Sequence, residues 1–304
     1  MTTPMIFAMQ GNEPMAAKLR QLRGWELGSW ENRRFPDGES FIRYLSEIKG
    51  RDIAIVCSLD RPDEKSIALY LAACVARELG ARQIGLVVPY LAYMRQDVRF
   101  HAGEGITAKH FARLLSGACD WLVTVDPHLH RIHSLDEVYQ VPTRVVHAAP
   151  HLAEWIRNHV PRPLLVGPDA ESEQWVSEVA GVIGCPFTLL KKTRYGDSDV
   201  AVTVPGIDRW RDRTPVLVDD IASTARTMMA AVARLHEAGM AAPVCVAVHA
   251  LFAGTAYTDL LASGIAGVVS TNTVPHPSNQ IDMAEPIAAA MNILFCGPSG
   301  KAAA

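Results

Sequence analysis

Short apolar runs rich in β-branched residues alternate along the chain with amphipathic stretches, and many of those stretches end at a glycine. The run IAIVCS, which begins at Ile53, predicts a buried strand, and the segment from Lys65 to Leu79 is apolar at helical spacing. Gly80 predicts the end of that helix, because glycine readily adopts the left-handed conformation that closes a helix. The run IGLVVPY, a helix from about Thr107 to Leu115 and the run WLVTVDPH continue the alternation.

The second half repeats this pattern, with the runs LLVG, FTLL, TPVLVDD and VCVAVHALF separated by helices that end near Gly184 and Gly239. Strands that alternate with helices predict an α/β protein with a doubly wound, mainly parallel sheet in each half. The two halves therefore resemble weak internal repeats. A proline-containing stretch from Val141 to Pro150 predicts the boundary region, which divides the chain into domains at 1–146 and 147–304.

Polar segments follow most of the predicted strands. Ligands of such sheets collect at the carboxyl ends of the strands, so the chemistry of this protein is expected in these segments. They are Asp60 to Glu64, Arg95 to Asp97, Asp126 to His130, Asp169 to Glu171, Lys191 to Arg194 and Asp219 to Thr227.

The composition limits the classes of function. The chain has 304 residues, with 29 Lys and Arg against 32 Asp and Glu, and a net charge of -3 gives no indication of broad affinity for nucleic acid or anionic membranes. Six scattered cysteines without C-x-x-C spacing indicate buried thiols in a reducing compartment. No signal peptide and no membrane-spanning run is recognised, so we expect a cytoplasmic protein.

The most specific feature is the run VLVDDIASTARTM, from Val216 to Met228. It brings two adjacent carboxylates, Asp219 and Asp220, to the end of a strand, and hydroxyl side chains then precede a helix. The N-terminus of a helix presents free N–H groups and a partial positive charge, which suit a phosphate monoester. The two carboxylates suit the vicinal hydroxyls of a ribose, directly or through Mg²⁺. A merely capped helix would explain an isolated acidic pair, but the whole run favours a binding site.

This run resembles the phosphoribosyl-diphosphate-binding loop shared by type I phosphoribosyltransferases and ribose-phosphate diphosphokinases. Further segments resemble the diphosphokinases only, in the order of that family over nearly the whole chain. The stretch RFHAGEGITAK, together with Ser223, is closer to the archaeal branch. The resemblance implies two tandem type I phosphoribosyltransferase-like domains, the first on the ATP side and the second with the ribose 5-phosphate loop. The further segments are RRFPDGE, YMRQDVRFHAGEGITAK, VTVDPHLH, VGPDAES and KKTR.

The resemblance also implies roles for individual residues. The hairpin RRFPDGE would stack adenine on its phenylalanine, accept the N–H groups of the base on its two acids, and reach into a neighbouring subunit, so a homo-oligomer is implied. An arginine can hold phosphate in a bidentate fork, as Arg95 would. The implied ATP-binding residues are Phe35, Asp37, Glu39, Arg95, Gln96 and Asp97. The implied ribose 5-phosphate-binding residues are Asp219, Asp220, Ser223, Thr224, Ala225, Arg226 and Thr227.

His128 resembles the histidine associated with the magnesium of bound ATP, and Asp169 resembles its acidic companion. Since Mg²⁺ prefers oxygen ligands, His128 is interpreted as orienting a bound water or a phosphate oxygen. A zinc site is not favoured, because the nearby His130 and His133 have no acidic or thiol partner at ligand spacing. Lys192 and Arg194 resemble the mobile-loop pair that stabilises the transferring diphosphoryl group, whose transfer needs charge neutralisation more than covalent chemistry.

The sequence departs from the family pattern mainly at Arg226, where the phosphate loop usually has glycine, and often also at Ala225. Arg226 either adds a cation that holds the 5-phosphate or obstructs the pocket. Three hypotheses follow: a Mg²⁺-dependent diphosphokinase acting on ATP and ribose 5-phosphate, a regulatory homologue that binds without turnover, and a phosphoribosyltransferase acting on a base. The segments RRFPDGE and RQD favour the first over the third.

Overall fold

The computed structural model describes residues 3–168, 172–195 and 199–296, with the backbone alone at position 174 and between 192 and 202. These residues form two compact units. The first unit contains the chain up to Val146 and the segment from Ala284 onward, and the second runs from His147 to Met283.

The first unit is built on a six-stranded, wholly parallel sheet in the order β2-β1-β5-β6-β7-β8. An antiparallel hairpin, β3–β4, is inserted in the chain before the third strand of that sheet. The elements are β1 (Met5–Ala8), α1 (Glu13–Arg23), β2 (Glu26–Leu27), β3 (Trp30–Arg34), β4 (Ser40–Tyr44), β5 (Asp52–Val56), α2 (Pro62–Glu78), β6 (Gln83–Val88), α3 (Thr107–Ser116), β7 (Trp121–Val125) and β8 (Thr143–Val146).

The second unit has the same design, with a six-stranded parallel sheet in the order β10-β9-β13-β14-β15-β16. A second antiparallel hairpin, β11–β12, is inserted at the equivalent place. The elements are α4 (Ala149–His159), β9 (Pro163–Gly167), α5 (Glu173–Ile183), β10 (Phe187–Leu189), β11 (Lys191–Tyr195), β12 (Asp199–Thr203), β13 (Thr214–Ala222), α6 (Arg226–Glu237), β14 (Val244–Ala250), α7 (Ala256–Ala262), β15 (Gly267–Thr271) and β16 (Asn279–Ile281).

The shared strand order confirms the predicted fold class, an α/β chain with two mainly parallel sheets flanked by helices. Central strands of such sheets are buried on both faces, and every residue of β5 and β7 is buried. The glycines that predicted helix ends at Gly80, Gly184 and Gly239 all have a positive φ and donate their N–H to a carbonyl of the preceding helix. Among the described residues, no helix combines the length and the apolar character needed to cross a membrane.

The last helix, α8 (Ala284–Cys296), belongs to the first unit, whereas the sequence-based division placed residues 147–304 in one domain. Its apolar side packs on α1, β7 and β8, and it buries Ile287, Ala288 and Met291. The ring of Phe295 lies edge-on to Trp121, with 4.9 Å between the ring centroids. The chain returns to its first sheet because that sheet offers apolar surface for α8 to cover.

Candidate substrate-binding sites

The acidic pair of the second unit lies within a strand. β13 pairs with β14 as far as Ala222, so Asp219 and Asp220 precede the end of the strand by two residues or more. Both side chains are half-buried, and the N–H of Asp220 donates to Oδ1 of Asp219 at 2.9 Å. The carboxylates are therefore held by a hydrogen-bonded strand, which gives them a fixed direction that a loop would not give.

The predicted phosphate loop follows directly and connects β13 to α6. The carbonyl of Ala222 accepts N–H groups from Leu251 and Phe252, and the carbonyl of Ser223 accepts one from Ala253. The loop is therefore fixed on one side by the segment after β14. The first N–H groups of α6 have no partner within the helix itself.

The start of α6 has the features of an anion site. Ala225 adopts the left-handed conformation, with φ 54°, and Arg226 is the first helical residue. The described first turn contains no acidic residue, and the cap residue Ala225 has no side-chain hydrogen bond to its N–H groups. A phosphate group would meet free N–H donors and the positive end of the helix dipole, and the exposed Arg226 adds a cation. Thr224 is exposed, and Ser223 and Thr227 are half-buried beside it.

A cavity of about 10 Å³ lies beneath this site and is lined by side chains that include Asp219, Thr227 and Met228. A void of this volume holds about one water molecule at most. This cavity is therefore too small to hold a sugar phosphate.

In the first unit, the three implied adenine contacts lie at the tip of the β3–β4 hairpin. The N–H of Phe35 donates to the carbonyl of Glu39, and the N–H of Glu39 donates to the Asp37 carboxylate at 3.2 Å. The ring of Phe35 remains 39% exposed, with the guanidinium of Arg33 5.0 Å from its centroid. The tip thus presents an aromatic face and two carboxylates to solvent, as recognition of a base would require.

The hairpin and the segment after β6 both contact the first turn of α2. Arg34 donates to the carbonyl of Glu64, and the hydroxyl of Tyr93 donates to Asp63. This hydrogen bond raises the pKa of Tyr93. The hairpin and the segment after β6, which contain the implied ATP-binding residues of this unit, are therefore both attached to the N-terminal end of α2.

The three polar residues after β6 face different surroundings. Arg95 is exposed and Gln96 is half-buried, with its carbonyl accepting the N–H of Ala108 at the start of α3. Asp97, in contrast, is buried, with only 3% of its side chain exposed, and its carboxylate faces Arg131. Arg95 is thus free to contact a phosphate group, whereas Asp97 is directed into the protein.

His128 lies after β7, and its ring is half-buried against His130, with 4.1 Å between the centroids. Asp126 directly after β7 adopts a positive φ of 30°, which turns the chain sharply. Asp169, the predicted companion of His128, lies outside the described residues. Within the described ranges, no group of three or more His, Cys, Asp or Glu side chains is arranged to hold a metal ion.

Lys192 and Arg194 lie on β11, where they pair with Val202 and Val200 of β12. Their side chains fall outside the described part of the chain. The hairpin β11–β12 occupies the same place in the second unit as β3–β4 in the first, so each sheet carries its inserted hairpin after its first two strands.

Two contacts of buried polar residues illustrate what the sequence did not predict. The first is the contact of Asp97 with Arg131, and the second is His249, which is 1% exposed and whose Nδ1 lies 2.9 Å from Oγ1 of Thr273. The partners are 34 and 24 residues apart, and neither pair has a recognisable spacing. No local signal in the sequence could have found them.

Comparison with known proteins agrees with this geometry. A family model described as the N-terminal domain of ribose phosphate pyrophosphokinase matches residues 4–118, and a phosphoribosyl transferase domain model matches residues 134–283. The ribose-phosphate pyrophosphokinase of Methanopyrus kandleri is 33% identical over 293 residues, which cover 95% of this chain and 99% of that protein. That of Methanothermobacter thermautotrophicus is 32% identical over 289 residues, with 94% and 99% covered.

The fold of the chain also matches that of a solved structure. The crystal structure of phosphoribosylpyrophosphate synthetase from Mycobacterium smegmatis superposes with a TM-score of 0.86 at 24% identity, and the alignment covers 97% of this chain and 99% of that one. The archaeal relatives agree with the resemblance noted in the sequence. With both domain models in order and relatives aligned over nearly their full length, this chain belongs to the ribose-phosphate pyrophosphokinase family.

Proposed function

We propose that this chain transfers the diphosphoryl group of ATP to the 1-hydroxyl of ribose 5-phosphate, which gives phosphoribosyl diphosphate and AMP. The observation that supports this most directly is the β13–α6 segment, where two fixed carboxylates precede a helix start with free N–H groups. One end of this segment suits the ribose hydroxyls and the other suits the 5-phosphate. Membership of the family provides the second support.

The ribose 5-phosphate would bind with its phosphate at Ser223 to Thr227 and its hydroxyls near Asp219 and Asp220. Arg226 is exposed at the first turn of α6, so its side chain reaches solvent and adds a positive charge beside the N–H groups. This favours the interpretation that Arg226 holds the phosphate over the one that it obstructs the pocket. An obstructed pocket at Arg226 was the main argument for the hypothesis of a regulatory homologue, so that hypothesis is less favoured.

ATP would bind on the first unit. The adenine would stack on the exposed ring of Phe35, with Asp37 and Glu39 accepting its N–H groups, and Arg95 would hold a phosphate group. Gln96 lies beside Arg95 and Asp97 is buried, so we assign Asp97 to holding this segment in place. Lys192 and Arg194 would neutralise the charge that develops on the transferring group.

Magnesium fits the donor set at Asp219 and Asp220, because Mg²⁺ is bound in phosphoryl-transfer enzymes by one or two carboxylates together with substrate phosphates and water. His128 would orient a water or phosphate oxygen, with Asp169 as its companion. When bound, the ion supplies charge neutralisation on the phosphate oxygens. The residues of the chain then hold the 1-hydroxyl in line with the β-phosphorus and exclude competing water.

The direct test measures AMP release from ATP and Mg²⁺ with and without ribose 5-phosphate, on the wild type and on Arg226→Gly. Ribose-dependent AMP in the wild type supports the proposal. Activity only in Arg226→Gly would indicate an obstructed loop and a regulatory homologue. Formation of a nucleotide and diphosphate, only when a base and phosphoribosyl diphosphate are supplied, would indicate a phosphoribosyltransferase.

A substitution at the acidic pair tests the assignment of the sugar site. Asp219→Asn keeps an oxygen that accepts the N–H of Asp220 but removes the charge, so we expect kcat/KM to fall by about 100-fold while the fold is retained. Asp259→Asn is the matched control, because Asp259 is an exposed carboxylate of the same unit, on α7. Equal activities of the two variants would contradict the assignment.

The homo-oligomer implied by the hairpin RRFPDGE is tested by measuring the molar mass of the protein in solution by light scattering.

A further inference from the structure

Asp97 is a carboxylate held inside the protein by the segment after β7. Its Oδ2 accepts the backbone N–H of Arg131 at 2.8 Å, and its Oδ1 lies 3.5 Å from Nη1 of the same residue. Only 3% of its side chain is exposed. A charge so buried is tolerated when an opposite charge and a hydrogen-bond donor compensate it, and Arg131 supplies both.

Arg131 makes a further contact on the segment that contains Asp97. Its guanidinium carbon lies 5.3 Å from the centroid of Phe100, in the range of a cation–π interaction. One arginine therefore contacts two positions of the segment after β6, three residues apart. Half of its side chain is exposed, so the contact lies at the surface.

The segment after Asp97 is closed on itself by Glu104. The N–H groups of Phe100 and His101 donate to Glu104 Oε2, and His101 Nδ1 lies 2.8 Å from Oε1. The C-terminal part of the stretch from Arg95 to Glu104 is therefore held by contacts within the stretch itself. Among the described contacts, Asp97 and Phe100 attach it to the segment after β7 through Arg131.

We propose that Arg131 is a positioning residue that fastens the Arg95–Glu104 segment to the His128 segment and so fixes Arg95 for ATP. Arg131 itself contacts no substrate in this proposal. The inference rests on the proposed function, because Arg95 and His128 are assigned to ATP there. Without the ion pair and the ring contact, Arg95 would sample several positions. The free-energy cost of ordering Arg95 on binding would then weaken the affinity for the nucleotide.

Hydrogen exchange of the free protein tests the attachment independently of activity. In Arg131→Ala we expect peptides spanning 95–104 to exchange about tenfold faster than in the wild type. Arg131→Lys retains the ion pair and should restore most of the protection. Arg82→Ala is the matched control, because the Arg82–Asp52 pair has nearly the same exposure, 51% and 7%, at the opposite end of β5 and β6.

Kinetics then tests the consequence for ATP. In Arg131→Ala we expect KM for ATP to rise about tenfold, which corresponds to about 1.4 kcal/mol, and KM for ribose 5-phosphate to stay near the wild-type value. Asp97→Asn keeps an acceptor for the N–H of Arg131 but removes the charge, so it should show a smaller rise. Arg82→Ala should leave both constants unchanged.

Unchanged exchange at 95–104 in Arg131→Ala, or an equal increase in Arg82→Ala, would overturn the proposal. A parallel rise of both KM values without rescue by Arg131→Lys would also overturn it, since that pattern indicates general destabilisation. Should Arg131→Ala fail to fold, Asp97→Asn removes the same ion pair, and Arg131→Lys is the control that retains it. A wild type that releases no ribose-dependent AMP would refute the proposed function, while faster exchange would still establish the attachment.

Discussion

Gly85 lies on β6 directly beside Trp121 of β7, and its lack of a side chain is what leaves room for the indole ring. A Cβ atom at position 85 would lie 2.0 to 2.3 Å from three ring atoms of Trp121. Carbon atoms in contact are normally about 3.5–4.0 Å apart, so the ring would have to move by about 1.5 Å. It has little room to do so, because Trp121 is 1% exposed and Phe295 of α8 packs on it.

The expected cost of Gly85→Ala follows from these contacts. Overpacking a core costs about 1–3 kcal/mol, and complete loss of a buried tryptophan costs about 3–5 kcal/mol. We expect a loss of about 3 kcal/mol in the free energy of unfolding, which is a large part of the total stability of about 5–15 kcal/mol of a typical protein. At about 2–4 °C for each kcal/mol, Tm should fall by about 6–12 °C.

Calorimetry and urea unfolding followed by circular dichroism measure this effect. Gly267→Ala is the control, because Gly267 also lies on a parallel strand, β15, but has no atom within 4 Å of the added Cβ. The double variant Gly85→Ala/Trp121→Phe should recover part of the loss, since the smaller ring vacates the space. A Gly85→Ala protein as stable as Gly267→Ala would refute the reasoning.

Three further predictions concern the phosphate loop, the hairpin and the thiols. Ala225 has a positive φ and is buried, so Ala225→Val should lower the free energy of unfolding by about 2 kcal/mol and weaken ribose 5-phosphate binding. Ala225→Gly should stay within about 1 kcal/mol of the wild type in urea unfolding, and equal stability of the two variants would contradict the prediction. Phe35→Ala should raise KM for ATP at least about fivefold, because loss of base stacking costs about 1–3 kcal/mol. KM for ribose 5-phosphate is the internal control, and an unchanged KM for ATP is the refuting result. Burial raises the pKa of Cys57 and Cys245 to about 12 from an ordinary value of 9.0, so a thiol reagent at neutral pH should modify exposed Cys296 and reach these two only after unfolding. Since their thiolates are disfavoured only in the folded state, the stability that the neutral thiols provide should decrease as the pH rises above 9.0, and modification of the native buried thiols would contradict the assignment.

Much of the fold could be predicted from local patterns. The helix predicted from Lys65 to Leu79 is Pro62–Glu78, and the helix predicted to end near Gly239 is Arg226–Glu237. Hydrophobic periodicity and glycine ends are properties of neighbouring residues, so a single sequence contains them. The alternation of strands and helices then gave two parallel sheets, because parallel strands need a crossover between them.

Contacts between distant segments could not be predicted in this way. α8 was expected in the second domain, but it packs on the first sheet, and nothing in its own sequence specifies which sheet it covers. The family resemblance implied Asp97 as an ATP-binding residue, together with Arg95 and Gln96. In the structure the carboxylate of Asp97 faces Arg131, which lies 34 residues further along the chain, and no local pattern predicts this contact.

Local patterns were enough to predict the alternating elements, the polar segments after the strands and the candidate phosphate loop at the start of α6, because each is encoded within a few consecutive residues. The exposure of the candidate side chains, in contrast, depends on the tertiary structure. Arg95 and Phe35 reach solvent, Asp97 is buried, and the acidic pair of Asp219 and Asp220 is fixed inside a strand. Burial depends on packing partners far away in the chain, and local patterns carry no information about them.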